Sequence, residues 1–143
     1  MQEAQNTQIV KNAYAAFLAN DINTLLGLMD EQVIWEPVVG ANRSVPNAGK
    51  RQGRASVAEF FKLTGENYQF SKFEPQEYVA QGDRVVALGH YTAKTKAGGT
   101  IDAPFVMVFT IRVGKVTAFQ EFSDSAALNA AWEESGKVVS IQS

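Results

Sequence analysis

Cysteine is absent from this chain of 143 residues. That excludes disulfides, thiolate catalysis and cysteine-ligated zinc or iron–sulfur centres. Histidine occurs once, as His90. One histidine among scattered carboxylates gives no metal-ligand spacing such as the paired histidines of a metalloprotease helix, so neither a metal nor another cofactor is expected. A surplus of either charge is also missing: 13 Lys and Arg stand against 15 Asp and Glu, a formal charge of -2. Nucleic-acid binders show a basic surplus or stripe, and the nearest feature here, Lys50-Arg51 with Arg54, reads as a solvated loop. No nucleic-acid partner is expected. Gly98-Gly99 is followed by neither a helix pattern nor a Gly-Lys-Ser/Thr run, so it reads as a hairpin turn rather than a phosphate cradle. No apolar run reaches membrane-spanning length, and the start, Met1-Gln2-Glu3-Ala4-Gln5-Asn6, is polar rather than signal-like. The expectation is a cytoplasmic protein with no membrane partner.

What the chain does contain is periodicity. Its length suits one domain over residues 1–143, with a core over about 5–132 and a flexible carboxy-terminal tail. Ile9, Ala13, Ala16 and Phe17 recur at helical spacing and predict an amphipathic helix over about 3–19. Asn20 or Asp21 can cap a second short helix carrying Leu25, Leu26, Leu28 and Met29. Residues 32–36 read as a short strand ended by Pro37, and 37–53 form an irregular stretch of the kind that crosses a site entrance. Val57, Phe60, Phe61 and Thr64 predict a third helix stopping at Gly65. The period then changes to two. Residues 70–79 give a strand that Pro75 consigns to an edge or bulge, and 84–96, 102–112 and 115–122 give stronger strands. A closing helix from Ser125 through Trp132 completes an α+β domain whose sheet wraps the helices on one face.

Side chains of a strand alternate between faces. Leu88, His90 and Thr92 share one face, opposite Ala87, Gly89 and Tyr91. Phe105, Met107 and Phe109 share a face, and Phe119, Glu121 and Ser123 align on the last strand. Which set of the 84–96 strand joins Phe105 and Met107 depends on register. Both faces are rich in apolar residues, so the outer one needs a cover, and a homodimer supplies it. Glu121, flanked by Phe119 and Phe122, is the residue whose burial would raise its pKa and fit it for proton transfer.

The segments Tyr14-Ala15-Ala16-Phe17 before Asn20-Asp21, Trp35-Glu36-Pro37, and Gly114-Lys115-Val116-Thr117 running to Phe119-Gln120-Glu121-Phe122-Ser123-Asp124 resemble the SnoaL-like branch of the superfamily that includes nuclear transport factor two and ketosteroid isomerase. The resemblance covers about residues 5–132. It implies a cone, the cystatin-like α+β roll: a curved, antiparallel or mixed sheet around three amino-terminal helices, an internal pocket, and a homodimer through the outer sheet face. Against limonene epoxide hydrolase, Glu121 stands at an aspartate of the final strand, and Leu88 and His90 stand at an arginine–aspartate pair. Against ketosteroid isomerase, Glu36 before Pro37-Val38 stands at the proton-shuttling aspartate, while Val106 or Met107 replaces the aspartate of the oxyanion hole.

These correspondences imply His90 and Glu121 as an acid/base pair. The implied pocket walls are Leu88, Thr92, Phe105, Met107, Phe119 and Leu128, with Trp35 and Glu36 near the mouth. Such a pocket takes a small hydrophobic ligand with one or two polar groups. Two functional readings stay open at this point. One is a cofactor-independent acid/base enzyme of isomerase, cyclase or hydrolase type on a hydrophobic metabolite. The other is a ligand-binding or structural homodimer without chemistry.

Overall fold

The computed structural model describes residues 2–142, with side chains described through residue 133. Helix α1 (Gln2–Leu18) turns Val10, Ala13 and Tyr14 inward. It ends where Asn20 adopts φ 57°, a left-handed conformation that asparagine tolerates at helix ends. Helix α2 (Ile22–Gly27) begins at Asp21, whose carboxylate accepts a hydrogen bond from the Thr24 amide at 3.2 Å. The helix is shorter than its apolar run predicts. Met29 already belongs to strand β1 (Met29–Glu36), and the short strand β2 (Arg51–Gln52) pairs with it.

Helix α3 (Arg54–Asn67) passes through Gly65 rather than stopping there. Glycine costs a helix only about 1 kcal/mol relative to alanine, and burial of Val57, Phe60 and Phe61 outweighs that. Four long strands follow: β3 (Tyr68–Gln81), β4 (Arg84–Thr95), β5 (Thr100–Arg112) and β6 (Lys115–Ser123). Helix α4 (Ser125–Gln142) closes the chain. The flexible tail expected after residue 132 falls mostly on residues 134–143, whose side chains lie outside the described residues.

The sheet runs β2-β1-β6-β5-β4-β3. β1 lies parallel to β6, and the other neighbours are antiparallel. Pro75 sits in the edge strand β3, as its missing amide requires. Register shifts between Phe70 and Lys72 and between Pro75 and Glu77 are the kind of irregularity that bends a strand, and they curve the sheet around α1 and α3. Opposite Pro75 lies Gly89. A Cβ there would run into the Glu74 carbonyl oxygen and the ring of Phe105, so this position admits glycine alone without rearrangement.

The register settles the open question of faces. β4 and β5 pair odd with odd, Tyr91 opposite Ala103 and Ala87 opposite Met107. β5 and β6 do the same, with Met107 opposite Glu121 and Phe109 opposite Phe119. The inner face therefore carries Val85, Ala87, Tyr91, Phe105, Met107, Phe109, Phe119 and Glu121, all buried. The outer face carries Leu88, His90 and Thr92, all half-buried.

Candidate functional site

The inner face, the helices and the 37–53 segment enclose a cavity of about 110 Å³. Its walls are mostly apolar and rich in aromatic rings, including Phe17, Phe60, Phe61, Phe73 and Phe119, with Met107 and Leu128 among the aliphatic contributors. Among the described lining residues, Glu121 is the one carboxylate, and no lysine, arginine or histidine joins it.

Glu121 reaches the cavity because β6 alternates: Phe119 and Glu121 face in, Gln120 and Phe122 face out. The side chain is 6% exposed. The Tyr91 hydroxyl donates to Glu121 Oε2 at 2.6 Å, and no described residue bonds Oε1. Burial pushes the carboxyl pKa up from 4.5 to about 7, against a smaller lowering by the Tyr91 hydrogen bond. Desolvation disfavours a charge that no cation offsets, and one hydrogen bond recovers part of the cost. Burial together with the Glu121 charge also pushes the Tyr91 hydroxyl up, so Tyr91 stays a donor near neutral pH. Tyr14, opposite on α1, donates to Met107 Sδ at 2.9 Å, and Met107 is the cross-strand partner of Glu121.

A second polar group lies where the 37–53 segment meets α3 and α4. Asn47 Nδ2 donates to Thr64 Oγ1 at 2.9 Å, Tyr68 Oη donates to Asn47 Oδ1 at 3.2 Å, and Trp132 Nε1 donates to Tyr68 Oη at 3.0 Å. Asn47, Thr64 and Tyr68 all line the cavity. The Asn42 amide donates to Asn129 Oδ1, and Asn129 Nδ2 to the Gly40 carbonyl, which ties the same segment to α4. This irregular stretch is a fixed wall.

His90 is a correction. It does not meet Glu121: it lies on the outer face, opposite Glu74 on β3 and Pro104 on β5, and its Nε2 contacts Asp102 Oδ1. The Asp102 carboxyl is held below its usual range, chiefly by the hydrogen bond from His90. Leu88 and Thr92 leave the pocket for the same reason, being of the same parity as His90. Glu36 faces out too: Gln120 Nε2 donates to its Oε1 at 2.8 Å, in a separate outer groove shared with Lys50 and Arg84. Phe105 faces in but is absent from the cavity lining, lying 1% exposed and stacked on Tyr91 and Phe73 at centroid distances of 5.4 and 5.3 Å. Trp35, Met107, Phe119, Leu128 and Glu121 line the cavity. Arg51 and Arg54 are bound to backbone carbonyls, those of Ser56 and Met29, and so brace α3.

The residues that sequence reasoning missed are Tyr91, Tyr68, Asn47 and Thr64. For Tyr91 half a signal existed: alternation groups it with Ala87 and Gly89 on one face of its strand, but only the register shows that this face turns inward. For Asn47 there was none, because aperiodic segments carry no facing information.

Helices packed in the bend of a six-stranded mixed sheet, with an apolar cavity between them, define an NTF2-like architecture. The model of the SnoaL-like domain matches residues 10–119, and the chain belongs to that family. Among solved structures it is similar to an NTF2-like protein from Burkholderia xenovorans LB400, with 34% identity and a TM-score of 0.82 over 90% of this chain and 96% of that one. It is also similar to TerC, co-crystallised with polyporic acid, with 28% identity and a TM-score of 0.77 over 90% of this chain and 98% of that one. A third is Bal32a, from a soil-derived mobile gene cassette, with 28% identity and a TM-score of 0.79 over 92% of this chain and 99% of that one. No curated protein matches the chain. No helix among the described residues is long and apolar enough to cross a membrane.

Proposed function

We propose that this protein is a cofactor-independent acid/base enzyme, of isomerase, cyclase or hydrolase type, acting on a small hydrophobic metabolite. Glu121 is the proton carrier, with Tyr91 as its fixed donor partner. One observation carries this reading: among the described residues lining the apolar cavity, Glu121 is the one carboxyl, buried and held by a single hydrogen bond from Tyr91, and that burial pushes its pKa up to about 7. A general acid or base works best when its pKa lies close to the working pH, since each protonation state is then accessible. Strong desolvation of a lone carboxyl in a cleft is also a recurrent mark of functional sites. Co-crystallisation of a 28% identical relative with polyporic acid supports a small organic occupant.

The test is a carbon-13 NMR titration of the glutamate side-chain carboxyls, with Glu121→Gln to assign the signal. Glu121 is expected to titrate near pH 7. A midpoint close to 4.5 would remove the basis for acid/base work at this position.

The outer face supports a second element of the proposal, a homodimer. Leu88, Val106 and Phe122 form one cross-strand row, and Phe122 is 42% exposed. Val86 and Val108 form the next pair. Contiguous apolar surface of this kind is more often covered than left in water. Sedimentation velocity is expected to give twice the 15.6 kDa chain mass, and Val106→Asp to give the single-chain mass. A wild-type protein that sediments as one chain at micromolar concentration would exclude the dimer.

A further inference from the structure

The two oxygens of Glu121 differ. Oε2 is held by the Tyr91 hydroxyl at 2.6 Å, whereas Oε1 has no hydrogen-bond partner among the described residues. Oε1 is nevertheless not walled in. The unpartnered side-chain atoms that are fully enclosed there are Trp35 Nε1 and Arg51 Nε, and Glu121 Oε1 is not among them. It therefore borders open space, and the space that Glu121 lines is the cavity. An ionised carboxylate oxygen only accepts hydrogen bonds, so what this position lacks is a donor.

The surroundings lack a cation as well. Among the described lining residues no lysine, arginine or histidine faces Glu121. The titratable groups that interact with it are Tyr14 on α1, Tyr68 on β3 and Tyr91 on β4, and burial raises the hydroxyl pKa of all three, so they stay neutral. Aromatic rings gather around the Tyr91–Glu121 pair. Phe70 and Phe73 lie 6.0 and 5.8 Å from Tyr91, centroid to centroid, and both line the cavity. The face of an aromatic ring attracts cations. An unpaired carboxylate and a wall of ring faces present the same sign, and their complement is a positive ligand.

Two further features narrow that ligand. Every N–H of an ammonium that enters apolar surroundings without an acceptor carries an uncompensated desolvation cost. One open oxygen satisfies one N–H, which is the number a protonated tertiary amine carries; a primary amine carries three. The cavity is of single-ring scale: about 110 Å³, against ~150 Å³ for a dry protein cavity that admits benzene.

We infer that the cavity is a binding site for a small apolar tertiary amine of single-ring size, whose one N–H donates to Glu121 Oε1. The inference rests on reading the cavity as a small-molecule site, and it adds the charge and the substitution the ligand must have. A bound ammonium occupies the oxygen that exchanges protons, so such an amine competes with a substrate rather than serving as one.

The probes are N-methylpiperidine and methylcyclohexane, which as bound differ by N⁺–H against C–H at nearly constant shape. Binding is read from the shifts of lining residues, and the state of Glu121 from its carbon-13 carboxyl signal. Saturating N-methylpiperidine is expected to lower the Glu121 midpoint by about one pH unit, because an adjacent positive charge favours the ionised form. By reciprocity its affinity rises about tenfold as the pH is raised through the Glu121 titration, while the amine itself stays protonated. Methylcyclohexane is expected to leave the midpoint in place and to bind no tighter at high pH. Glu121→Gln should weaken N-methylpiperidine about tenfold at high pH and spare methylcyclohexane. Cyclohexylamine, a primary amine of the same size, should bind about tenfold more weakly than N-methylpiperidine.

If both rings perturb the lining residues but N-methylpiperidine shows no pH dependence and no advantage over methylcyclohexane, the amine preference is overturned and the small-molecule site stands. If cyclohexylamine binds as tightly as N-methylpiperidine, the match of one oxygen to one N–H is overturned. If neither probe perturbs the lining residues even at millimolar concentration, the ligand class and the reading of the cavity fall together. The acid/base reading is judged separately, by the Glu121 midpoint of the protein without ligand.

Discussion

Glu121→Gln is expected to slow turnover by orders of magnitude and, at the same time, to make the protein more stable above neutral pH. Glutamine matches glutamate in shape and still accepts the Tyr91 hydrogen bond made at 2.6 Å, but it cannot take up or release a proton. Removal of a positioned general acid or base typically costs ~10²–10⁴-fold in rate. That loss is measurable as slower deuterium incorporation from D₂O into a panel of conjugated ketones. The stability gain has a separate origin. In the unfolded chain this carboxyl releases its proton near 4.5, and in the folded protein near 7. Its contribution to stability is therefore fully present below about pH 4.5, declines as the pH rises through 7, and stays lost above that. At about 1.4 kcal/mol for each tenfold change in ionisation constant, roughly 3 kcal/mol separates the two limits. Urea unfolding at pH 8.5 should show the variant more stable by a large part of that difference, with the advantage shrinking towards pH 4.5. Equal stability of the two proteins at pH 8.5 would mean that the ionised carboxyl carries no desolvation penalty. Equal exchange rates would mean that it carries no proton.

Legibility of this chain followed the range of the interactions involved. The helices over 2–18 and 54–67 and the strands over 84–95, 100–112 and 115–123 are written in local periodicity, because each buries one face against the same core. Their existence could be read from Val57, Phe60 and Phe61 at helical spacing and from Phe105, Met107 and Phe109 at alternate positions. Facing within each strand was equally readable, and Glu121 was correctly grouped with Phe119. The pairing of strands was not. A register shift of one residue turns every side chain of a strand to the other face, and the turn between Thr95 and Thr100 that fixes the register has no repeated pattern. That single unknown exchanged Tyr91 for His90, and with it a buried hydroxyl partner for an outer ion pair with Asp102. Glu36 failed differently. Its placement rested on a short resemblance around Pro37, whereas the physical determinant is that Trp35 and Phe119 stack inward, which leaves Glu36 the outer side. Asn47 lies in a segment held by side-chain hydrogen bonds from residues far along the chain, such as Tyr68, and no local rule reaches it.

Phe105→Ala is expected to produce the largest loss of stability of any single truncation considered, and the effect should reach the site although Phe105 does not line the cavity. The ring is 1% exposed and stacks on Tyr91 at an interplanar angle of 24° and on Phe73 at 28°. Truncating a buried phenylalanine costs about 3–5 kcal/mol, from lost transfer energy plus the space left unfilled. Domains of this size hold only about 5–15 kcal/mol in total, so about a fifth or more of the stability is at stake. The denaturation midpoint should fall with the urea dependence unchanged. The neighbouring Gly89 supplies an internal check. A Cβ at position 89 collides with the Phe105 ring and with the Glu74 carbonyl, so Gly89→Ala should be destabilising by overpacking, at about 1–3 kcal/mol. Combined with Phe105→Ala, the added methyl enters space that the ring has vacated, and the double variant should be more stable than the two separate losses predict, by about 1 kcal/mol. Strict additivity would mean that the Glu74 carbonyl, rather than the Phe105 ring, is what demands glycine there. Tyr91 loses one of its stacking partners in Phe105→Ala, and its hydroxyl is what fixes the Glu121 carboxyl. The variant's Glu121 signal should therefore broaden or shift in the carbon-13 titration even where the protein remains folded, which makes the second layer of rings behind the cavity a part of how the carboxyl is held.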